Sequence, residues 1–328
     1  MNPVKSGKIN PMEIYEQGLA QISEYSDKAS KIIDDLIDKV INEPSNSEIA
    51  HYTNDLGLAG ILGSGSLRCT NIFDLNDPTE IEHGFAQAIK VFNNLSINGS
   101  PLEKDFVQKF CNLYQAKLKG TANYYVCSFS TECDDLGQWR SYADNGRGYA
   151  LIFDKAALED YFTKLAPGAK DHNSTFDIRY NDNEIGQIQS QLVHGAFNLI
   201  SYLEHHRSII TNTQFASYLK DLSTKSSAHI IHASLFYKHE AYRHEKEFRF
   251  LQIFRGDLPT PDIKIRTRNY QSVEYREFDW SPSNALKKIV IGPSANIQNA
   301  ESFAKEQLSL LGLNHVQIEH SKIPYKVF

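Results

Sequence analysis

Apolar positions recur along residues 11 to 42 at alternating steps of four and three. A heptad stripe of this kind predicts one amphipathic helix. Such a helix either packs on the protein's own body or binds a second copy or a partner. Glu43-Pro44-Ser45-Asn46-Ser47 then predicts a linker, so residues 1–48 are an N-terminal helix and linker. The stripe consists of Tyr15, Leu19, Ile22, Ala29, Ile33, Leu36 and Val40, with Ser26 at the one polar position.

Residues 49–328 alternate between short β-rich runs and helical patterns, which indicates the α+β class. Residues 184 to 236 carry a helical pattern without strand signals and separate two β-rich halves. We therefore expect one domain with a helical insertion at about 155–236. The predicted strands lie at 49–53, 67–70, 124–128, 149–153, 175–181, 247–254, 272–279, 288–291 and 316–319.

Composition narrows the class of protein. The chain has 328 residues, 41% of them apolar, and a net charge of -6. No global basic field attracts nucleic acid, although a local basic groove is compatible with this charge. No apolar run is long enough to span a bilayer, and residues 1–8 lack the apolar core of a signal peptide. We expect a cytoplasmic protein with no membrane contact and with free thiols at its four cysteines.

The first polar cluster follows the strand at 49–53. His51 and Thr53 share one face of that strand, and Tyr52 points to the other. His51 is suited to a ribose hydroxyl, or it is a hydrogen-bonded core histidine. Further on, Asp77-Pro78-Thr79-Glu80 has the pattern of a helix capping box, which leaves Asn76 as a residue that can orient a loop over a ligand.

Aromatic residues follow a second strand end at Ser128-Phe129-Ser130. Trp139 and Tyr142 lie one helical turn apart and are expected to face the same way. An aromatic pair beside a strand end can stack on a planar ring such as nicotinamide, or it can belong to the core.

The sharpest candidate is a pair of carboxylates, Glu245 and Glu247. Two residues apart on a predicted strand, they share one face with Arg249. This row is either a solvated edge strand or, if partly buried beside the aromatic segment upstream, a set of groups positioned for chemistry. The sequence has twelve histidines, but no cysteine or carboxylate stands at a spacing that would complete a metal-binding set with them. The Gly-x-Ser-x-Gly motif of serine hydrolases does not occur. We therefore expect no metal.

Taken together, these blocks resemble a family of uncharacterised bacterial proteins, domain of unknown function twenty-nine seventy-one. The resemblance covers roughly residues 49–325, without much of the helical segment. Tyr242 stands where the family pattern has Trp. The matching blocks are His51-Tyr52-Thr53, Leu58 to Leu67, Asn76-Asp77-Pro78-x-Glu80, Cys127-Ser128-Phe129-Ser130, Trp139-x-x-Tyr142-Ala143, Gly148 to Phe153, Lys238, Glu245-x-Glu247-x-Arg249 and Ile291-Gly292-Pro293.

The chain also resembles ADP-ribosyltransferases, because His-x-Thr is followed by a helix that ends in Ile-Leu-x-x-Gly-x-Leu. This resemblance implies a split β-sheet core of the ADP-ribosyltransferase type. This resemblance implies that NAD is the substrate and that no metal is needed. His51 would contact the ribose and Thr53 the nicotinamide side, while Trp139 or Tyr142 would stack. Glu247 would be catalytic, with Glu245 two residues before it. The remaining expected NAD contacts are Tyr52, Asn76, Ser128 and Arg249.

The resulting hypothesis is NAD-dependent ADP-ribosyl transfer to a nucleic acid or protein acceptor, or NAD glycohydrolysis, in a bacterial toxin or phage-defence effector. Two alternatives stay open. One is a metal-dependent nuclease that uses Asp77, Glu80, Glu245 and Glu247. The other is a non-catalytic sensor or interaction protein, with a homodimer formed through residues 11–42.

Overall fold

The computed structural model describes residues 10–41, 47–75, 79–117, 122–165, 172–255, 260–268 and 270–327. The chain divides into two compact units, each built from three separate segments. We call them the helical unit and the sheet unit. The helical unit consists of Met1–Asp38, Thr79–Thr121 and Asn181–Tyr237, and the sheet unit of Lys39–Pro78, Ala122–Tyr180 and Lys238–Phe328.

The described residues form nine α-helices and ten strands. No helix among them combines the length and the apolar character that crossing a membrane requires. The helices are α1 (Pro11–Ile41), α2 (Asp55–Ser64), α3 (Thr79–Ser96), α4 (Pro101–Gln115), α5 (Leu136–Tyr142), α6 (Lys155–Lys164), α7 (Asp182–His205), α8 (Asn212–Ser234) and α9 (Ile297–Leu310). The strands are β1 (Glu48–Thr53), β2 (Ser66–Asn71), β3 (Ala122–Ser130), β4 (Tyr149–Asp154), β5 (His172–Asp177), β6 (Glu247–Arg255), β7 (Lys264–Arg268), β8 (Gln271–Asp279), β9 (Leu286–Ile291) and β10 (Gln317–His320).

Helix α1 packs inside the helical unit. Ile22, Ala29 and Ile33 of its stripe are buried. The Tyr25 hydroxyl donates to the Leu192 carbonyl of α7 at 3.2 Å, and Ser26 Oγ contacts His229 Nε2 of α8 at 2.9 Å. The helix therefore packs on the protein's own body. The expected homodimer through residues 11–42 would need an apolar stripe that the monomer already covers; the Val40 side chain and residue 42 lie outside the described residues.

The sheet unit contains one ten-stranded sheet that splits at β3. One edge of β3 pairs with β6 along the whole strand, from Ala122 to Ser130. The other edge pairs with β2 at Tyr125 and Val126 and with β1 only at Ser130. Between the contact of β3 with β2 and its contact with β1, strands β1 and β2 diverge into two arms, which we call the β1 arm (β1, β4, β9, β10) and the β2 arm (β2, β8, β7). The helices and this sheet together confirm the predicted α+β class.

The two faces of this sheet carry different cores. Helices α2, α6 and α9 cover one face, where Leu58, Leu158 and Ala304 join the large core. The other face carries a smaller core in which Ala50 and Tyr52 of β1 pack against α5. Since directly paired residues point to the same face, Ser128, Ser130, Glu247 and Arg249 lie on this second face, which we call the Ser128 face.

Two sequence expectations need correction. Strand β5 pairs with β6 from His172 to Asp177, so residues 155–180 belong to the sheet unit and the helical segment starts at 181 rather than at 155. Strand β7 is not predicted, because its alternating charged residues have no apolar face. All four cysteines are free, as expected.

Candidate functional site

Ser128 is exposed although it lies inside a nine-residue strand with buried neighbours on both sides. It is open because β1 and β2 diverge at this point of β3. Its hydroxyl donates to Glu247 Oε1 at 2.7 Å. Its carbonyl accepts a hydrogen bond from His51 Nδ1 at 3.1 Å. Two sequence-predicted residues from distant parts of the chain therefore meet at Ser128.

Glu247 is 5% exposed and has several partners. Arg249 Nε lies 2.5 Å from Oε1, and Lys238 Nζ lies 3.3 Å from Oε2. Burial by itself would raise the pKa of the Glu247 carboxyl, but Arg249, Lys238 and the Ser128 hydroxyl outweigh burial and lower it to about 2. Glu247 is therefore a carboxylate at neutral pH and a weak proton acceptor.

Glu245 reaches the same cluster through a turn rather than through strand alternation. It ends a 3-10 helix at 240–245, and Lys246 follows with a left-handed backbone (φ 43°) before β6 begins at Glu247. The expectation that both glutamates lie on one strand is wrong. The Glu245 carboxylate nevertheless contacts Lys238 Nζ at 2.5 Å and accepts a hydrogen bond from the Tyr142 hydroxyl at 2.8 Å.

The cluster is charge-balanced and buried. Two carboxylates face two cations, and Lys238 and Arg249 are 3% and 1% exposed. Burying a charge is tolerated when it is paired and hydrogen-bonded, and removing one partner is strongly destabilising. The Glu245 backbone carbonyl accepts further bonds from Ser130 Oγ at 2.8 Å and Gln138 Nε2 at 3.1 Å. The turn at Glu245 is thus fixed to the end of β3 and to α5.

The two candidate stacking aromatics differ in accessibility. Trp139 is fully buried, packs edge-to-face on Tyr52 at 4.9 Å, and donates from Nε1 to Asp134 at 2.7 Å. Tyr52 is also buried, and its hydroxyl donates to the Glu132 carbonyl at 2.8 Å. Both are core residues, so their expected contact with NAD is not available. Tyr142 is 42% exposed, and burial together with Glu245 raises the pKa of its hydroxyl, which stays protonated.

His51 approaches Ser128 from the face opposite Glu247. Its ring packs edge-on against Phe129 at 5.6 Å and is half-buried. Burial lowers its pKa, with the bond to Ser128 acting in the other direction, so the imidazole is neutral at pH 7. Thr53, on the same side of β1, is half-buried and pairs with Tyr149. Asn76 lies outside the described residues.

A surface pocket of about 380 Å³ lies on α5 beside Tyr142. It is within the size range of small-ligand sites. Its lining is polar and includes two groups that bind anions, an arginine and a histidine. The lining residues are Gly137, Arg140, Ser141, Asn145 and His244.

Lys238 is the residue that sequence analysis passed over as a site residue, although it stands in one of the family blocks. A lysine directly after Phe236 and Tyr237 was the available signal, because a lysine in a buried aromatic run requires a carboxylate partner. Tyr180 is a second such residue: its hydroxyl accepts the Glu247 N–H at 3.2 Å, and its pKa is raised, chiefly by burial, to about 12.

No curated protein sequence and no solved structure matches the chain. A family model described as "Protein of unknown function (DUF2971)" matches residues 138–250. The matched segment runs from α5 into β6 and contains Tyr142, Lys238, Glu245 and Glu247. It is shorter than the predicted span of 49–325, and within it the resemblance to that family of unknown function is confirmed.

Proposed function

We propose that this protein cleaves NAD at the bond between nicotinamide and ribose and transfers the ADP-ribosyl group to an acceptor or to water. The observation that carries the proposal is the exposed Ser128 hydroxyl, bonded at 2.7 Å to a buried, ionised Glu247 where the sheet splits. A ligand in the split can reach Ser128 directly, while His51 contacts the same residue from the other face.

The chemistry follows from the charge of Glu247. When the ribose C1′–nicotinamide bond breaks, the electron pair leaves with nicotinamide and positive charge develops on the ribose. A carboxylate with a pKa of about 2 remains ionised and stabilises that charge. Ser128 donates to this carboxylate, so its oxygen is free to accept a hydrogen bond from a ribose hydroxyl.

Neighbouring groups would orient the dinucleotide. The exposed ring of Tyr142 offers a surface on which nicotinamide can stack. Its hydroxyl is held by Glu245, and Lys238 holds both glutamates, so Lys238 acts as a positioning residue. The adjacent pocket presents Arg140 and His244 toward an anion such as the NAD diphosphate.

The ion pairs favour NAD chemistry over the metal-dependent nuclease. A two-metal or one-metal nuclease needs carboxylate oxygens that face the cation. Glu245 and Glu247 instead bind Lys238 and Arg249. Asp77 and the Glu80 side chain, the other two expected ligands, lie outside the described residues.

The test measures nicotinamide release from NAD by the purified full chain, with and without candidate nucleic acid and protein acceptors. Glu247→Gln should reduce the rate by at least about 100-fold, the usual scale for losing one electrostatic group in an active site. Ser128→Ala should reduce it less, and because Ser128 is exposed this variant should stay folded. Glu301→Gln, a half-buried ion-pair partner on α9, is the control for removal of a glutamate charge away from the site.

A wild-type rate no higher than that of Glu247→Gln would reject the proposal. Circular dichroism and melting of each variant separate loss of chemistry from loss of fold.

The effector role is proposed from analogy with ADP-ribosylating toxins. Expression in bacteria should then slow growth for the wild-type chain and leave growth normal for Glu247→Gln at equal protein level. Equal growth of the two strains would argue against a toxic activity.

A further inference from the structure

Arginines line the outer part of the β2 arm on the Ser128 face. Strand register puts Arg68 of β2 and Arg266 and Arg268 of β7 on this face, around Tyr275 of β8. The guanidinium carbons of Arg68 and Arg266 lie 5.0 and 5.8 Å from the Tyr275 ring centre. Arg68 is exposed, and Arg266 and Arg268 are half-buried.

These three cations are close enough to disfavour one another. Burial lowers the pKa of Arg266, and Arg68 and Arg268 lower it further. Arg266 donates to Thr70 Oγ1 at 3.4 Å, while its buried Nε has no hydrogen-bond partner among the described residues. Arg268 donates to the Asp74 backbone carbonyl. Glu277, an acid on this face, is bonded at 2.6 Å to Lys264. Uncompensated cations of this kind attract an anionic ligand.

This row of arginines on the Ser128 face leads to the candidate site. Thr70 of β2 pairs with Val126 of β3, so Arg68, two residues earlier, comes level with Ser128 across the split. Both side chains lie on the same face of the sheet. A ligand that follows the arginines along the β2 arm therefore ends at the Ser128 hydroxyl.

We propose that this face binds the phosphate backbone of a single-stranded nucleic acid and delivers one of its bases to the split as the acceptor. The inference rests on the proposed function. A nucleophilic atom of the base forms a bond to the ribose C1′, the C1′–nicotinamide bond breaks, nicotinamide leaves with the electron pair, and the proton of the base goes to solvent.

Geometry favours a strand over the diphosphate of NAD. Arg266 and Arg268 are two residues apart on a strand, about 6.6 Å, and Arg68 extends the row across β8. The two phosphates of NAD share one bridging oxygen and cannot occupy so long a row. Tyr270, in the turn between β7 and β8, is fully exposed and offers a stacking surface for an unpaired base. An unpaired base is also the form that can enter a cleft without unstacking from a duplex.

The experiment measures binding of a fluorescein-labelled, mixed-sequence single-stranded oligonucleotide to the full chain by anisotropy, from about 50 to about 200 mM salt. The wild-type chain should bind, with affinity falling as salt rises. Arg68→Gln should weaken binding and reduce the slope of log affinity against log salt by about 0.7 for each phosphate that the variant no longer neutralises. Tyr270→Ala should weaken binding about tenfold. Both residues are exposed, so neither change removes core. Lys305→Gln on α9 is the matched control for removal of an exposed cation.

Several outcomes overturn the inference. These are no binding by the wild-type chain, equal affinity of Arg68→Gln and wild type, tighter binding of the same sequence as a duplex, or a raised KM for NAD in Arg68→Gln with unchanged oligonucleotide affinity. The last would assign the arginines to the dinucleotide. Oligonucleotide binding does not need NAD cleavage, so binding without cleavage rejects only the proposed activity, and cleavage without binding rejects only the acceptor.

Discussion

At the scale of single residues, the site depends on how Glu247 is kept ionised while buried. Burial favours the protonated form, and the nearby guanidinium of Arg249, the ammonium of Lys238 and the hydrogen bond from Ser128 reverse that preference. The same pairing makes Glu247 a poor base, so in the proposed reaction its contribution is electrostatic. Ser128 is the residue through which that charge meets the exposed surface of the split.

Glu247 should make the unfolding free energy depend on pH in the acidic range. Its folded pKa of about 2 lies below the ordinary value of 4.5, so its stabilisation is present above pH 4.5 and is lost as pH falls toward 2. Between pH 5 and pH 3 the wild-type chain should lose about 2 kcal/mol more unfolding free energy than Glu247→Gln. Urea unfolding at the two pH values measures this. Parallel losses in both proteins would mean that Glu247 is not held ionised in the fold.

At the scale of elements, the split results from the way β1 ends. Asn54 caps α2 directly after Thr53, and α2 then turns the chain back into β2 through Gly65, whose φ of 64° suits glycine. The end of β1 is held in place by β4, which pairs with it from Tyr149 onward, and Gly148 directly before β4 lies against Thr53. A Cβ at Gly148 would lie 2.2 Å from the Thr53 carbonyl oxygen, closer than any real contact.

Gly148→Ala should therefore push β4 away from the end of β1. We expect a loss of about 1–3 kcal/mol in unfolding free energy, the range for overpacked sites, and a loss of any activity that depends on His51. Gly60→Ala on α2 is the control, because a Cβ there meets nothing within 4 Å; it should raise stability by up to about 1 kcal/mol through helix propensity. Equal stability of Gly148→Ala and wild type, by urea unfolding, would show that β4 does not fix β1.

At the scale of the whole molecule, the chain passes repeatedly between a helical unit and a sheet unit. Helix α1, separated in sequence from the other helices of its unit, is tied to α7 and α8 by Tyr25 and Ser26. Its buried apolar residues therefore stabilise the monomer, and they are not available to the dimer that the heptad pattern suggested.

Truncating a buried side chain of the apolar stripe on α1 should lower the stability of the protein without changing its mass in solution. Ile33→Ala should lower the unfolding free energy by about 2–4 kcal/mol, because Ile33 is 3% exposed and truncating a buried side chain leaves a cavity. Met12→Ala on the same helix is the control and should lower it by less than about 0.5 kcal/mol, because Met12 is 52% exposed. Urea unfolding measures both, and light scattering after size exclusion should give the same mass for both variants and the wild type. A lower mass for Ile33→Ala than for the wild type would indicate that the stripe on α1 forms a dimer interface after all.

Patterns local in the sequence were enough to predict α1, most strands and the α+β class, because apolar periodicity is set by residues within one or two turns of each other. They were also enough to single out Glu247, which shares a strand face with Arg249 while Phe248 and Phe250 take the other face, and to place Ser128 at the end of a buried strand. Strand β7 was not predicted, since its charged residues alternate with the exposed Ile265 and with Thr267, and an edge strand needs no apolar face.

Only the tertiary structure decided which of these residues meet. Strand register determined that Ser128 and Glu247 share one face of the sheet, where the Ser128 hydroxyl reaches Glu247 diagonally, and that Tyr52 points into the core beside Trp139. The turn at Lys246 brought Glu245 to Lys238, and the divergence of β1 and β2 exposed Ser128. The sequence by itself determined which segments become strands or helices and which side chains carry charge. Exposure, partners and pKa depend on contacts between segments that are distant in the chain, such as His51 with Ser128 and Ser128 with Glu247, and no local pattern encodes these.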